Sequence, residues 1–342
     1  DVQAEDELSE SDKDQKEIIE ESDTTEEDRV AAIDTSITLG AGSRIAVVSK
    51  ATDGEYWKLV RQGMEDAVKD INKAYEFSSD DEISMTFEGP SDEQDIETQV
   101  NTLDAVIAEN PDVLCVSASD MDSLQAQLEA AKENGIPVVA FDSGVTDSKM
   151  IRAFRGTDNT RVGEIAAYRL ATAIGKMGKV AVFSAQEKTQ SIQERVSGFT
   201  NYITNYPDIE VVEIVYQDQV DDMTAAMQEV LDKYPQLDGV FCDNADIADL
   251  YLDMKKDETK DSIVMVGVDA TAKQQEAIWN SKEVGVVSQQ PYAMGYQTIW
   301  TALLTTAPKK SVEIKRNVRI DPAWIDSSNI DDPTYSSYLY AN

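Results

Sequence analysis

Short apolar runs alternate with longer amphipathic runs along the chain from residue 44 onward. The short runs are rich in Val, Ile and Phe, which is typical of buried β-strands. Between them, apolar residues recur every three or four positions, as in "YWKLVRQGMEDAVKDINKAY" (56–75), and this spacing predicts helices. Alternating strands and helices indicate βαβ units, so the pattern predicts an α/β protein with mostly parallel sheets.

Eleven apolar runs are predicted to be strands. In chain order they are RIAVVS, EISMTFEG, DVLCVSA, PVVAFDS, IRAFRGT, KVAVFSA, IEVVEIVYQD, DGVFCDN, IVMVGVD, EVGVVSQQ and VEIKRNVRI. The two cysteines, Cys115 and Cys242, lie inside such runs in different halves of the chain, and we expect both to be buried free thiols.

One pattern occurs twice along the chain. It begins at Pro111 and again at Leu237, and each copy reads as a strand, a polar turn, a helix and a second strand that ends on an acid. That acid is Asp142 in the first copy and Asp269 in the second. A chain of 342 residues is longer than a single hydrophobic core usually supports. The length and the repeat together favour two similar lobes.

The two acids predict a binding site. Open parallel sheets bind ligands at the carboxyl ends of their strands. If the two sheets face each other, Asp142 and Asp269 lie in one cleft and can accept strong hydrogen bonds from a polyhydroxyl ligand. The alternative is that each acid caps the helix that follows it.

The formal net charge of −36 excludes several kinds of partner. Nucleic acids and anionic membrane surfaces are bound through clustered Lys and Arg, which this chain lacks. Residues 1–43 hold fifteen acids against three bases, a net charge of −12, and no aromatic residue. We expect this segment to be a disordered acidic linker, because it cannot bury enough apolar surface to fold.

The residues give little support to catalysis. The chain contains no His, which excludes a Ser-His-Asp triad and imidazole metal ligands. It also lacks a Walker A lysine motif, a G-x-G-x-x-G turn, a G-x-S-x-G elbow and a C-x-x-C pair. We therefore predict a protein that is not an enzyme; a glycosidase using Asp142 and Asp269 as its carboxylate pair is the remaining enzymatic alternative.

Several segments together resemble a known family. They are "RIAVVSKATDGEYWKLVRQGMEDA", "VVAFDSG", "RGTDNTRVGEIAA", "SIQERVSGF", "VFCDNADIA", "VGVDATA" and "VVSQQPYAMG". In this order they resemble the ribose/galactose-type (type I) periplasmic sugar-binding proteins of bacterial ABC transporters, over about residues 44–320. The resemblance implies two Rossmann-like lobes with parallel sheets joined by three crossover strands. The expected divisions are 44–156 with 291–316 for the first lobe, and 157–290 with 317–342 for the second.

Matching motif by motif, the resemblance implies nine ligand-binding residues. They are Ser49, Tyr56, Trp57, Ser119, Asp142, Gln193, Asn244, Asp269 and Gln289. The aromatic pair suits the apolar face of a sugar ring. The chain departs from the family pattern where Ser143 replaces an Arg after the fourth-strand Asp, and where Gln193 replaces a ligand-facing Arg while Arg195 matches a structural one. These departures argue against plain ribose specificity.

The resemblance implies an extracytoplasmic solute-binding protein. Such a protein captures a sugar or polyol by hinge closure and delivers it to the membrane permease of an ABC transporter. We expect a monomer without cofactor or metal, at the cell surface or in the periplasm, tethered through a lipidated N-terminus absent from this chain. The alternative is a binding protein that presents a sugar or furanosyl signal to a chemoreceptor or sensor kinase. A sugar-responsive repressor is disfavoured, because an acidic segment stands where such repressors carry a basic helix-turn-helix.

Overall fold

The computed structural model describes residues 33–258 and 261–341. These residues form two six-stranded sheets. The first sheet contains β1 (Arg44–Val48), β2 (Ser84–Glu88), β3 (Val113–Val116), β4 (Val138–Phe141), β5 (Ala153–Thr157) and β11 (Asn317–Ile320). The second contains β6 (Gly178–Ser184), β7 (Ile209–Tyr216), β8 (Gly239–Cys242), β9 (Val264–Val268), β10 (Gly285–Ser288) and β12 (Ala323–Ile325).

The two sheets have the same topology apart from one strand. The first has the order β11-β5-β4-β3-β1-β2 and all its neighbouring strands are parallel. The second has the order β12-β10-β9-β8-β6-β7, and its strands are parallel except for β12, which pairs antiparallel with β10. Each sheet with its helices is one lobe, so the predicted two-lobe α/β fold is confirmed.

Helices cover the sheets of both lobes. The described residues form α1 (Glu55–Ala74), α2 (Ile96–Ala108), α3 (Gln125–Glu133), α4 (Asn159–Ala173), α5 (Gln190–Ile203), α6 (Met223–Lys233), α7 (Ala245–Met254), α8 (Ala272–Trp279) and α9 (Pro291–Leu304). The central strands are buried on both faces, which is why they read as continuous apolar runs such as "VLCV" in β3 and "GVFC" in β8. Both cysteines are buried and unpaired, as predicted.

The helix pair α4 and α5 packs unusually closely in the second lobe. A Cβ atom placed on Gly163 would lie 2.1 Å from the carbonyl oxygen of Arg195, and one placed on Gly198 would lie 2.2 Å from that of Thr160. Both positions therefore exclude any side chain. This contact fixes α5, whose residues Ser191 and Arg195 face the space between the lobes.

The structure differs from the expected divisions at two places. Residues 33–43 do not behave as a linker, because Ile33, Ile37 and Leu39 pack against the core of the first lobe, and the hydroxyl of Tyr75 donates to the carbonyl oxygen of Ile37. The rest of the predicted disordered linker, residues 1–32, lies outside the described residues. The strand β11 pairs with β5 in the first sheet, so the third crossing between the lobes follows Ile320.

The two lobes contact each other directly beside the cleft. Glu55 lies at the start of α1, and Ala272 is the first residue of α8 in the other lobe. The backbone N–H of Ala272 donates a hydrogen bond to a carboxylate oxygen of Glu55 at 2.9 Å. Arg319 on β11 forms a bidentate ion pair with Glu194 on α5, with N–O distances of 3.0 and 3.1 Å. The lobes are therefore closed on each other. No helix among the described residues combines the length and apolar character needed to cross a bilayer.

Candidate functional site

A cleft of about 620 Å³ lies between the lobes, at the sheet edges where the parallel strands end. Its walls are formed by residues that follow β1, β2 and β4 in the first lobe and β6, β7, β8, β9 and β10 in the second. Six of the nine predicted ligand-binding residues line it: Tyr56, Trp57, Asp142, Asn244, Asp269 and Gln289. The structure thus brings the two strand-end acids into one cleft.

The two acids hold equivalent places in the two lobes. Asp142 and Asp269 have φ angles of 62° and 80°, in the left-handed region that few residues other than Gly adopt. The backbone N–H of each donates to the neighbouring strand, to Arg155 at 2.9 Å and to Val287 at 3.0 Å. Neither acid caps the helix that follows it, since Asp147 caps the short 3₁₀ helix after β4 and Thr271 caps α8. The unusual backbone turns each carboxylate toward the cleft.

Asp142 is held by a buried ion pair. Its Oδ2 lies 2.6 Å from Nζ of Lys50, and its Oδ1 accepts a hydrogen bond from the hydroxyl of Tyr56 at 2.5 Å. Two further hydroxyls, those of Ser117 and Ser143, donate to Oδ2 at 3.1 and 3.3 Å. Burial alone would raise the pKa of the Asp142 carboxyl, but Lys50 and the hydrogen bonds outweigh it and hold that pKa below its ordinary value. The acid is therefore ionised in the folded protein.

Asp269 accepts three hydrogen bonds from the second lobe. The backbone N–H of Ala245, at the start of α7, donates to Oδ2 at 2.9 Å. The side-chain amide of Gln289 and the hydroxyl of Tyr340 both donate to Oδ1, each at 2.7 Å. A carboxylate at the first residue of α7 is also favoured by the partial positive charge of a helix N-terminus. These contacts fix the orientation of the carboxylate.

Polar contacts connect the two acids across the lobes. The Tyr56 hydroxyl, which donates to Asp142, lies 3.4 Å from Oε1 of Gln289, and the amide of the same Gln289 donates to Asp269. Thr157, at the first crossing between the lobes, donates to Oε1 of Gln289 at 2.7 Å. The inner end of the cleft is thus one network built from both lobes.

The remaining predicted residues on the cleft wall are Trp57 and Asn244. The indole N–H of Trp57 donates to Oε1 of Glu93 at 2.8 Å, and its ring meets that of Tyr56 edge to face, with 5.1 Å between centroids. Asn244 caps α7 by accepting a hydrogen bond from the N–H of Ile247 at 2.9 Å, which leaves its NH2 group as a donor for the cleft. Stacking of the two rings on a sugar stays a prediction.

Three predicted ligand-binding residues lie outside the cleft wall. The hydroxyl of Ser49 is used locally, donating to the carbonyl oxygen of Ala51 at 2.6 Å. Ser119 is fully buried, and its carbonyl oxygen accepts a hydrogen bond from Thr189. Gln193 is exposed and its amide donates to the carbonyl oxygen of Glu187. None of the three lines the cleft in this structure, and their contact with a ligand stays a prediction.

The helical repeat explains why Gln193 lies outside the cleft. Residues four apart share a face of a helix, so Ser191 and Arg195 both reach the cleft, while Gln193, two positions from each, lies on the opposite side. Arg195, expected to be structural, is the charged residue of this helix that lines the site. It donates to Oδ1 of Asn159 at 2.9 Å and to the carbonyl oxygen of Asp243 at 2.8 Å.

Sequence reasoning also missed Lys50 and most of the acids on the cleft wall. Nine lining residues carry a carboxyl group: Asp53, Glu55, Asp92, Glu93, Asp142, Asp246, Asp249, Asp253 and Asp269. The two lining cations, Lys50 and Arg195, are already bonded to protein groups. The missed acids lie in loops and along the helices α1 and α7, where acids are common, and no local signal distinguishes them. The cleft is consequently strongly negative.

Burial, together with the neighbouring carboxylates, raises the pKa values of two acids on the cleft wall. Burial raises the pKa of Glu93 from 4.5 to about 7, opposed by Lys50 and supported by the charges of Asp246 and Asp142. Burial and the charge of Asp269 raise the pKa of Asp246 from 3.8 to about 6. Near neutral pH, part of the cleft acidity is therefore carried as protonated carboxyl groups.

The raised pKa of Glu93 predicts a pH dependence of stability. Because the folded state holds this proton up to about pH 7 while the unfolded state releases it near 4.5, unfolding becomes easier as pH rises through that window. Glu93→Gln is expected to weaken the fall of Tm between pH 5 and 7, measured by thermal unfolding. Glu97→Gln, at an exposed position in the first turn of α2, is the control. Identical pH profiles for Glu93→Gln and the wild type would contradict this assignment.

A family model described as a periplasmic binding protein domain matches residues 45–307. The chain belongs to this family. The ribose import binding protein RbsB of Bacillus subtilis (strain 168) is 27% identical over 203 residues, which cover 59% of this chain and 66% of that protein, just under two thirds of its length. The resemblance inferred from the sequence motifs is thus confirmed. Membership of a family of binding proteins agrees with the expectation that the chain is not an enzyme.

Solved structures of solute-binding proteins share the fold over most of the chain. An ABC transporter solute-binding protein from Agrobacterium vitis, with bound D-fucose, is 27% identical with a TM-score of 0.79 and covers 87% of this chain and 100% of its own. A carbohydrate transporter solute-binding protein from Agrobacterium radiobacter, in complex with D-arabinose, is 28% identical with a TM-score of 0.78 and covers 87% and 99%.

Proposed function

We propose that this protein is an extracytoplasmic solute-binding protein that encloses a neutral sugar or polyol between its lobes and delivers it to an ABC transporter permease. The observation that carries the proposal is the meeting of Asp142 and Asp269, from equivalent strand ends, in one cleft between the lobes. The sugars named for the two Agrobacterium proteins support the same ligand class. The names of these relatives favour transport over the sensing alternative.

Both acids retain capacity for a ligand. A carboxylate oxygen accepts about two hydrogen bonds. Oδ1 of Asp142 receives one, from Tyr56, and Oδ2 of Asp269 receives one, from Ala245. Each acid can therefore accept a hydroxyl group of the ligand, while Arg195 and Asn244 supply donors for its oxygens. The rings of Tyr56 and Trp57 offer an apolar surface beside these groups.

The lining charges select among sugars. A ligand that carries its own carboxylate or phosphate would enter a cleft with nine acids and two cations, both of which are already bonded to protein groups. Such a ligand is repelled, because the acids on the cleft wall outnumber the cations. A hydroxyl-rich neutral ligand instead supplies the donors that the acids need.

The mechanism is closure of the lobes on the ligand. The three crossings between the sheets, after Thr157, Ser288 and Ile320, are the positions where the lobes can rotate. The ligand stabilises the closed form by the contacts that it makes with both lobes at once. In this proposal the protein acts as a monomer and is tethered to the membrane through a lipidated N-terminus.

A thermal-shift screen tests the ligand class. We expect at least one neutral sugar among D-fucose, D-arabinose, D-ribose, D-galactose and xylitol to raise Tm, since a ligand at 100 times its Kd stabilises the folded state by about 2.7 kcal/mol. D-galactose and D-galacturonate form a matched pair that differs at one carbon, and the acid is expected to give the smaller shift. No shift with any neutral sugar, or a larger shift with D-galacturonate, would contradict the proposal.

A further inference from the structure

The last part of the chain, residues 326–341, follows β12 and lies outside the span that the family model matches. We call it the C-terminal segment. In the structure Tyr338 is 1% exposed and Tyr340 is 7% exposed, so the segment is part of the folded body.

The C-terminal segment is fastened to the strand ends that form the cleft. The hydroxyl of Ser288, the last residue of β10, donates to the carbonyl oxygen of Tyr338 at 2.6 Å, and the amide of Gln290 donates to the Tyr338 hydroxyl at 2.9 Å. The backbone N–H of Tyr340 donates to Ala270 at 3.1 Å, one residue beyond Asp269. These bonds place the Tyr340 side chain behind the inner end of the cleft.

Tyr340 contacts both lobes and two cleft residues. Its hydroxyl donates to Oδ1 of Asp269 at 2.7 Å and accepts the backbone N–H of Gln289 at 3.3 Å. Its ring lies 5.8 Å from that of Tyr56, centroid to centroid, and packs in the core of the first lobe although its backbone is bound to the second. A residue 71 positions from Asp269 in the chain thus donates one of the three hydrogen bonds that this acid accepts.

We propose that Tyr340 is a positioning residue of the ligand site, whose hydroxyl fixes the carboxylate of Asp269 and the backbone of Gln289 in the geometry that receives the ligand. The inference rests on the proposed function. With Tyr340 and Gln289 both on Oδ1, the unfilled acceptor position is left on Oδ2. Without the hydroxyl, Oδ1 has an open acceptor position and the carboxylate can rotate away from the ligand.

Two substitutions separate positioning from packing. Tyr340→Phe keeps the ring and removes the hydroxyl, while Tyr340→Ala removes both. We expect Tyr340→Phe to recover most of the Tm lost in Tyr340→Ala but to bind each sugar that the wild type binds about ten-fold more weakly by calorimetry, the scale of one hydrogen bond to a charged group. Tyr335→Phe, in the same segment, is the matched control and is expected to keep wild-type affinity. Wild-type affinity in Tyr340→Phe would overturn the proposal.

A second measurement needs no ligand. In the sugar-free protein, hydrogen exchange at the backbone N–H of Gln289 is expected to accelerate in Tyr340→Phe and to stay unchanged in Tyr335→Phe. The reason is that the Tyr340 hydroxyl accepts the hydrogen bond from this N–H. Unchanged exchange at Gln289 would refute the role of the hydroxyl. If the wild type binds none of the five neutral sugars of the screen, the proposed function fails, and the exchange result still decides whether Tyr340 orders the site.

Discussion

Asp269→Ala is expected to reduce the affinity for every sugar that the wild type binds by about 100-fold or more, the equivalent of about 3 kcal/mol. The substitution removes the acceptor for a ligand hydroxyl and leaves the donors of Ala245, Gln289 and Tyr340 without a partner. An unsatisfied buried donor costs about 1–3 kcal/mol, so Tm is expected to fall as well. Isothermal calorimetry measures the first effect and thermal unfolding the second.

Asp269→Asn is the companion variant. Asn tolerates the φ of 80° at this position and keeps the shape of the side chain, so the loss of Tm is expected to be smaller than for Ala. One of its two terminal atoms becomes a donor, which must face either Ala245 or Gln289 and Tyr340, so the affinity is still expected to fall. Asp331→Ala, at an exposed site in the C-terminal segment, controls for loss of charge. A folded Asp269→Ala protein with unchanged affinity would remove Asp269 from the site.

Lys50→Met is expected to cost about 3 kcal/mol of unfolding free energy, because it leaves the carboxylate of Asp142 buried without its counter-charge. Both side chains are nearly inaccessible to water, at 4% and 5% exposure, so solvent compensates little. Since Lys50 and other donors hold the pKa of Asp142 down in the folded protein, the contribution of the pair is complete at neutral pH. It is lost as pH falls through the pKa of the folded state, which makes the deficit of Lys50→Met largest near pH 7.

A double-mutant cycle isolates this ion pair. Asp142→Asn combined with Lys50→Met removes both charges and is expected to recover part of the stability that Lys50→Met loses. Chemical denaturation at pH 7 and pH 4 supplies the four free energies at each condition. If the two single substitutions add without coupling, the Lys50–Asp142 contact does not carry the stability assigned to it.

The central strands could be predicted from the sequence because they are buried on both faces of the sheets. Every one of the eleven apolar runs overlaps a strand of the structure. The strand β12 is covered by none of these runs. It is three residues long and antiparallel at the sheet edge, and its short "AWI" run gives no periodic signal. The sequence also could not predict which sheet β11 joins, because the composition of a strand does not distinguish between two similar sheets.

The site residues that directly follow a strand could be predicted from the sequence. Asp142, Asn244, Asp269 and Gln289 each follow a strand, and the carboxyl ends of parallel strands meet at one edge. Arg195 depends on the rotation of α5, which is set by packing against α4. Tyr340 depends on a contact across 71 residues of sequence, for which a single chain carries no pattern.

The contact between Glu55 and α8 makes lobe closure depend on ionic strength. The carboxylate of Glu55 acts as the anion at the N-terminus of a helix that belongs to the other lobe, and Arg319 pairs with Glu194 across the same gap. Both contacts join groups of different lobes, so the contact of Glu55 beside the cleft is lost when the lobes separate, and mobile ions weaken exposed charge interactions of this kind. Rising ionic strength therefore favours the open form, so that even an uncharged sugar is expected to dissociate more readily in concentrated salt.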